Sequence, residues 1–217
     1  MISIENQQSI LINIARELKE QITAFTIGGT AMMFQGLKNS TLDIDLVFTS
    51  SKDQEGFIQA ARKIGWTYLD SKIIYGERKN IPIMLKLIDE RLDLFLIEVI
   101  DFIFSDSMQK RAKITKQFER NLILKIADPH DIIIMKCATD RIKDIDDART
   151  IIENIKIDWN ILIEEAQKQI NLGKERAILE LGTFLERLQK IKVAIPKKIL
   201  DELWLLLEKQ IKQKRKH

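Results

Sequence analysis

Cysteine, proline and glycine are scarce in this chain, at one, three and eight among 217 residues. A lone cysteine, Cys137, excludes an internal disulfide framework and fits a reducing interior. Histidine is nearly absent too, at two. His130 has no second His or Cys at ligand spacing, which excludes a zinc-type nitrogen–sulfur site. No apolar run approaches the length of a membrane span. The opening MISIENQQSI lacks a basic region followed by a long apolar core, so no signal peptide is expected. The expectation is a soluble cytoplasmic protein with no membrane partner. No internal repeat or low-complexity stretch is visible.

Hydrophobic residues make up 45% of the chain, enough for a sizeable core and one or two domains. The formal net charge of +3 predicts no strong general affinity for nucleic acid. That charge is uneven. Residues 159–217 hold 13 basic and 8 acidic side chains, about +5, leaving about −2 for the rest.

The most informative stretch is Phe25 to Phe48, FTIGGTAMMFQGLKNSTLDIDLVF. An apolar run from Phe25 to Ile27 predicts a strand that ends in Gly28-Gly29-Thr30. A short helix from Thr30 to about Leu37 follows, then a second strand from Leu42 to Phe48. Residues two apart in a strand share a face. Leu42, Ile44 and Leu46 are therefore expected in the core, with Asp43 and Asp45 side by side on the other face. Two like charges that close are unfavourable without a cation between them, and closely spaced oxygen ligands suit magnesium. Gly28 and Gly29 permit a sharp turn and close approach to a ligand. Thr30 is expected to cap the helix and to reach a phosphate, since the first amides of a helix favour an anion. Lys38 and Thr41 lie in the connection, where Lys38 is a second candidate for phosphate contact.

A Gly-Gly turn, about a dozen residues and an acidic-apolar-acidic strand, here Gly28-Gly29-Thr30 and Asp43-Ile44-Asp45-Leu46, resembles the signature of the polymerase-beta-like nucleotidyltransferase superfamily. The resemblance implies an α/β (α+β) fold with a mixed twisted sheet flanked by helices. It also implies a third carboxylate on a later strand beside the first two. Asp93 in Arg91-Leu92-Asp93-Leu94-Phe95-Leu96-Ile97 is the best match, and Glu98 a weaker one. Read from the residues alone, Asp93 shares a face with Phe95 and Ile97, so it needs a partner. That partner is a metal ion or an ion pair with Lys86 or Lys72.

The remaining elements follow from periodicity and punctuation. Helices are predicted from Glu5 to Gln21, from Ser50-Ser51 to Ile64 before Gly65, and, short, within Asp101 to Lys113. Trp66 to Tyr75 reads as a strand pair or a bent strand. Ile81–Ile88 and Arg91–Ile97 read as a β-hairpin, and Leu122–Ala127 as another strand. Asp128-Pro129-His130-Asp131 starts a helix that runs to Thr139. A further helix follows, with Asp144 and Asp147 at its capped start. Three more run over Trp159–Ile170, Lys174–Lys190 and Pro196 to the end, the last with an apolar face of Trp204, Leu205, Leu206 and Leu207. The boundary falls at 127/128: a catalytic core in 1–127 and a helical region in 128–217. The terminal Lys209, Lys212, Lys214, Arg215 and Lys216 read as a helix end where cations suit the dipole.

Lys136 interrupts an apolar helix, and Arg141-Ile142-Lys143-Asp144-Ile145-Asp146-Asp147 follows an acid at 140. This pattern is similar to the second half of the abortive-infection type nucleotidyltransferase toxins and their bacterial and archaeal relatives. The similarity implies that Lys136 contacts nucleotide phosphates and that Asp144 helps shape the site. The partner ribonuclease motif, an Arg followed several residues later by a His, is absent from the helical part. Taken together, the resemblances imply two magnesium ions on Asp43, Asp45 and Asp93, with Asp93 as ligand, base or both. They imply a nucleoside triphosphate such as ATP as substrate, an RNA end or protein hydroxyl as acceptor, and an antitoxin protein as partner. The alternative is a non-catalytic nucleotide-binding or interaction module on the same fold.

Overall fold

A computed structural model describes residues 1–139 and 141–214. Asp140 of the Lys136–Asp147 pattern, and Arg215 and Lys216 of the basic tail, lie outside the described residues. The chain forms two compact units: residues 1–100 with 104–128, and residues 101–103 with 129–217.

In the first unit, β1 (Ile2–Ser3) leads into α1 (Ile4–Glu17), whose first turn is capped by the Ser3 hydroxyl. Next come β2 (Ile22–Thr26), α2 (Gly28–Phe34), β3 (Ser40–Thr41), β4 (Ile44–Phe48) and α3 (Ser51–Lys63). Ser50 caps α3 by accepting from the Asp53 amide at 3.2 Å. The unit continues through β5 (Thr67–Leu69), α4 (Lys72–Tyr75), β6 (Ile83–Leu87), β7 (Glu90–Leu96) and β8 (Glu98–Val99). β9 (Phe102–Ile103) belongs to the second unit. α5 (Asp106–Arg111), β10 (Ile114–Phe118) and β11 (Leu122–Ile126) complete the first.

The main sheet runs β10-β11-β2-β4-β7-β6-β5. It is mixed: β11 is parallel to β2 and β4 to β7, while β2–β4 and β6–β7 are antiparallel. This is the expected α/β class with a mixed sheet flanked by helices. β1 and β3 pair separately as a two-stranded ribbon. One sheet face carries Ile44, Leu46, Phe48, Leu92, Leu94, Leu122 and Leu124 into a core with Leu11 and Ile14 of α1 and Phe57, Ile58 and Ala61 of α3. Full burial of each large side chain contributes about 1.5–3 kcal/mol.

The hairpin appears as predicted, as β6 and β7, and so does the strand at β11. Its neighbour β10 had no sequence signal, because three of its five residues are polar and only Phe118 is buried. Trp66–Tyr75 is not a strand pair. After β5 the chain turns at Asp70, whose carboxylate accepts from the Lys72 amide at 2.9 Å, and forms the one-turn helix α4. Leu42 is not in the core; it is 51% exposed in a bend before β4. β4 therefore begins at Ile44 and not at Leu42.

The second unit is helical apart from β9: α6 (Pro129–Lys136), α7 (Ile142–Asn154), α8 (Trp159–Asn171), α9 (Arg176–Lys190) and α10 (Lys197–Lys214). Residues 101–103 join it through Gln169 on α8. That amide accepts from the Ile103 N–H at 3.0 Å and donates to the Ile103 carbonyl at 2.8 Å, standing in for a neighbouring strand. Gly182 on α9 lies under the Trp204 ring, where a Cβ would come within 2.9 Å. On α10 the buried apolar positions are Ile199, Leu200 and Leu203, whereas Leu205 is 54% exposed. The apolar face is thus rotated from the expected Trp204–Leu207 run. No described helix is long and apolar enough to cross a membrane.

Candidate metal centre

Strand register brings the acids together. β4 and β7 are parallel, with Asp45 opposite Asp93, flanked by the pairs Ile44–Leu92 and Leu46–Leu94. Since the flanking residues fill the core, both carboxylates stand on the other face. Asp43, in the bend before β4, turns its carboxylate onto the same spot. Ligand oxygens of Asp43, Asp45 and Asp93 all lie within 4.8 Å of one another, and no other group of this kind occurs among the described residues. Asp43 and Asp93 are buried and Asp45 is half-buried. Glu98 is not part of the group.

α2 and the turn before it hold this arrangement in place. The Ile27 amide donates to the Asp45 carbonyl at 3.2 Å, carrying β2 up to the acids. Gly28 follows with φ +55, and a Cβ there would sit 2.6 Å from Asp45 Oδ2. Both facts demand glycine. At Gly29 a Cβ would come 2.7 Å from Thr41 Oγ1. That hydroxyl donates to Asp43 Oδ1 at 3.2 Å, so Gly29 leaves room for a group that orients Asp43. Lys38 runs its aliphatic stem past the same glycine, with Cδ 3.8 Å from that Cβ position.

Thr30 departs from expectation. α2 starts at Gly28 with Ile27 as N-cap and no side-chain cap. Thr30 is fully buried, two residues into the helix. Its hydroxyl accepts from the Asp45 amide at 2.9 Å and donates to the Asp43 carbonyl at 3.4 Å. It pins the helix to the backbone of both aspartates instead of capping it.

Two residues that sequence reasoning missed complete the centre. Arg91 Nε donates to Asp93 Oδ1 at 2.8 Å and Nη2 to Asp93 Oδ2 at 3.2 Å, while Nη2 also bonds Asp43 Oδ2. The Tyr75 hydroxyl donates to Asp93 Oδ2 at 2.6 Å, and its ring meets Phe95 edge-on with centroids 6.2 Å apart. Asp93 is therefore paired with Arg91 and Tyr75, and neither Lys72 nor Lys86 is its partner; Lys72 binds Glu77. A signal for Arg91 existed, because it lies two residues before Asp93 in a strand and so shares its face. Tyr75 had none, being brought in by the α4 turn.

Burial and the Asp43 charge push the Asp93 carboxyl up to about 6, against the opposing pull of Arg91 and Tyr75. Burial and the carboxylate of Asp93 hold the Tyr75 phenol well above its ordinary range, so it stays protonated as a donor. Burial works against the Arg91 charge, but Asp93 and Asp43 outweigh it and raise its pKa. Two unit charges about 4 Å apart at an effective dielectric of about 20 repel by roughly 4 kcal/mol, a repulsion that the Arg91 guanidinium offsets and that a bound divalent ion would also offset.

The other two predicted site residues meet in the second unit. Lys136 Nζ lies 2.8 Å from Asp144 Oδ1 and 2.5 Å from Asp147 Oδ2. Asp144 also accepts from Thr139 Oγ1 at 2.5 Å and from Arg141 Nε at 2.7 Å. Asp144 is not a helix cap: Arg141 holds that position, and Asp144 is fully buried in the first turn of α7. Burial penalises the charge on both partners. Asp144 and Asp147 nevertheless hold the Lys136 pKa up, and Lys136 and Arg141 hold Asp144 below its ordinary value. His130 accepts from the Asp158 amide at 2.9 Å through Nε2, and Cys137 is buried, in keeping with structural roles.

No protein-family model and no curated protein matches the chain. Solved structures do match. One is ANT(2'')-Ia in complex with adenylyl-2''-tobramycin, at 15% identity and TM-score 0.47, covering 83% of this chain and 98% of that one. Another is a protein from H. pylori provisionally named a nucleotidyltransferase, at 14% identity and TM-score 0.43, covering 98% of this chain and 96% of that one. Both scores lie below 0.5, and the functional reading rests on the acids themselves.

Proposed function

We propose that this chain is a magnesium-dependent nucleotidyltransferase that moves a nucleoside monophosphate from a nucleoside triphosphate to a hydroxyl acceptor. The observation that carries the reading is the convergence of Asp43, Asp45 and Asp93, with ligand oxygens within 4.8 Å, beside a glycine that admits no side chain. The donor set is oxygen-only and anionic, which fits a hard divalent ion and excludes a soft one. Bound there, magnesium would neutralise triphosphate charge and lower the pKa of the acceptor hydroxyl.

The chain's own residues have separable parts. Asp43 supplies oxygens from the bend before β4, Asp45 from β4 and Asp93 from the neighbouring β7. Gly28 and Gly29 leave the backbone bare for phosphate to approach, and Lys38 supplies a cation beside them. Thr30 keeps Asp43 and Asp45 at fixed spacing. In the transfer, the acceptor oxygen bonds the α-phosphorus as the bond to the bridging oxygen breaks and pyrophosphate leaves. The acceptor proton passes to Asp93 or to solvent. The assignment of Lys136 to the phosphates and of Asp144 to shaping the site rests on the resemblance alone. So do the choice of ATP, the RNA or protein acceptor, the antitoxin partner and the toxin role.

The test is a panel of labelled nucleoside triphosphates with magnesium, total RNA and cell extract. Label should enter one macromolecular band, with metal-dependent release of pyrophosphate. Asp45→Asn should abolish transfer and leave the melting temperature within a few degrees of wild type. Wild-type turnover in that variant would refute the metal assignment.

A further inference from the structure

Every oxygen of Asp43 and Asp93 already has a donor. Asp43 Oδ1 takes Thr41, and Asp43 Oδ2 takes Arg91. Asp93 Oδ1 takes Arg91 Nε, and Oδ2 takes Tyr75 and Arg91 Nη2. The guanidinium thus lies between two of the three acids that would hold an ion. It cannot yield by losing its proton, since arginine stays charged at any accessible pH. It can yield only by moving. Its side chain is 16% exposed, whereas Asp93 is sealed at 0%, so the arginine is the group with a way out.

We propose that Arg91 is a resident counter-cation. Its fork on Asp43 and Asp93 and a divalent ion on the same carboxylates are alternatives, and Arg91 sets the threshold at which the centre loads. This inference rests on the metal-centre reading above. The charge balance supports it. Asp43 and Asp93 share one guanidinium, which leaves a negative charge there that still attracts an ion, while the fork spares these two acids mutual repulsion until one arrives. Once displaced, the planar fork becomes a bidentate partner for phosphate. Loading by ion and triphosphate together is therefore favoured over loading by ion alone.

Manganese titration followed by electron paramagnetic resonance tests this without any turnover. The proteins are wild type, Arg91→Met, Arg91→Lys and Asp45→Asn. Arg91→Met should bind Mn²⁺ about tenfold or more tighter than wild type, the difference removal of a competing cation makes at this range. Arg91→Lys, which keeps the charge but not the fork, should fall between them and guards against misfolding of the methionine variant. A non-hydrolysable triphosphate should tighten Mn²⁺ binding in wild type more than in Arg91→Met. Equal or weaker Mn²⁺ binding in both arginine variants would overturn the proposal and leave the metal centre standing. No Mn²⁺ binding in wild type or either arginine variant would overturn both. Binding in those three and not in Asp45→Asn would locate the ion at these acids.

Discussion

Gly28 carries two separate demands at one position. Its φ of +55 lies in the left-handed region, and its missing Cβ leaves the space that Asp45 Oδ2 occupies. Alanine there would incur about 1–2 kcal/mol of backbone strain and push the carboxylate aside. Gly28→Ala should therefore lower thermal stability by several degrees and weaken Mn²⁺ binding, both measurable on one purified sample. Stability loss with unchanged ion affinity would separate the backbone demand from the steric one. Arg91 makes the complementary point. The period-two rule that put Asp43 and Asp45 on one face also puts Arg91 with Asp93, so the pairing was legible in the sequence. Lys86 lies across the hairpin opposite Arg91, and so next to the arginine instead of the acid.

At the scale of elements, the parallel register of β4 on β7 does most to build the centre, because it sets Asp45 directly opposite Asp93. A slip of one residue would turn Asp93 into the core and Leu92 or Leu94 out of it, which the apolar pattern forbids. β7 reaches that register through its hairpin with β6, where Leu87 pairs with Glu90. The two residues between them include Ile88, with φ +56 and 87% exposure. A β-branched residue is disfavoured there, and glycine is what a tight two-residue hairpin turn accepts. Ile88→Gly should raise stability by about 1 kcal/mol in urea denaturation, with activity unchanged. A loss of stability would mean that this exposed side chain has a partner. The hairpin itself was readable from two apolar runs around a polar turn. The α4 turn that delivers Tyr75 was not, because Lys72–Tyr75 is too short to show a period.

On the scale of the molecule, two buried aspartates give stability opposite pH dependences. Asp93 has its folded-state pKa raised to about 6 from 3.8. Its charge therefore costs stability at neutral pH, and that cost is relieved as pH falls from about 6 towards about 4. Asp144 has its folded-state pKa lowered below 3.8. Its contribution is present above that value and is lost as pH falls through the folded-state pKa. Denaturation of the metal-free protein should show stability holding or rising from about pH 7 to about pH 5, then falling steeply below about pH 4. Asp93→Asn should remove the first feature and Asp144→Asn should flatten the second. Lys136→Met should cost about 3–5 kcal/mol, since it removes the buried cation that Asp144 and Asp147 share.

Local rules were enough to predict β2, β4, the β6–β7 hairpin, β11, the helices of the second unit, the glycine turn and the candidate acids, because apolar period, caps and backbone permissiveness act within a few residues. Tertiary structure alone decided what those acids meet. Which strand lies beside which, and in what register, depends on packing between residues dozens apart. That packing placed Arg91 and Tyr75 on Asp93, turned Thr30 from a cap into a clasp, and joined Lys136 to Asp144 and Asp147.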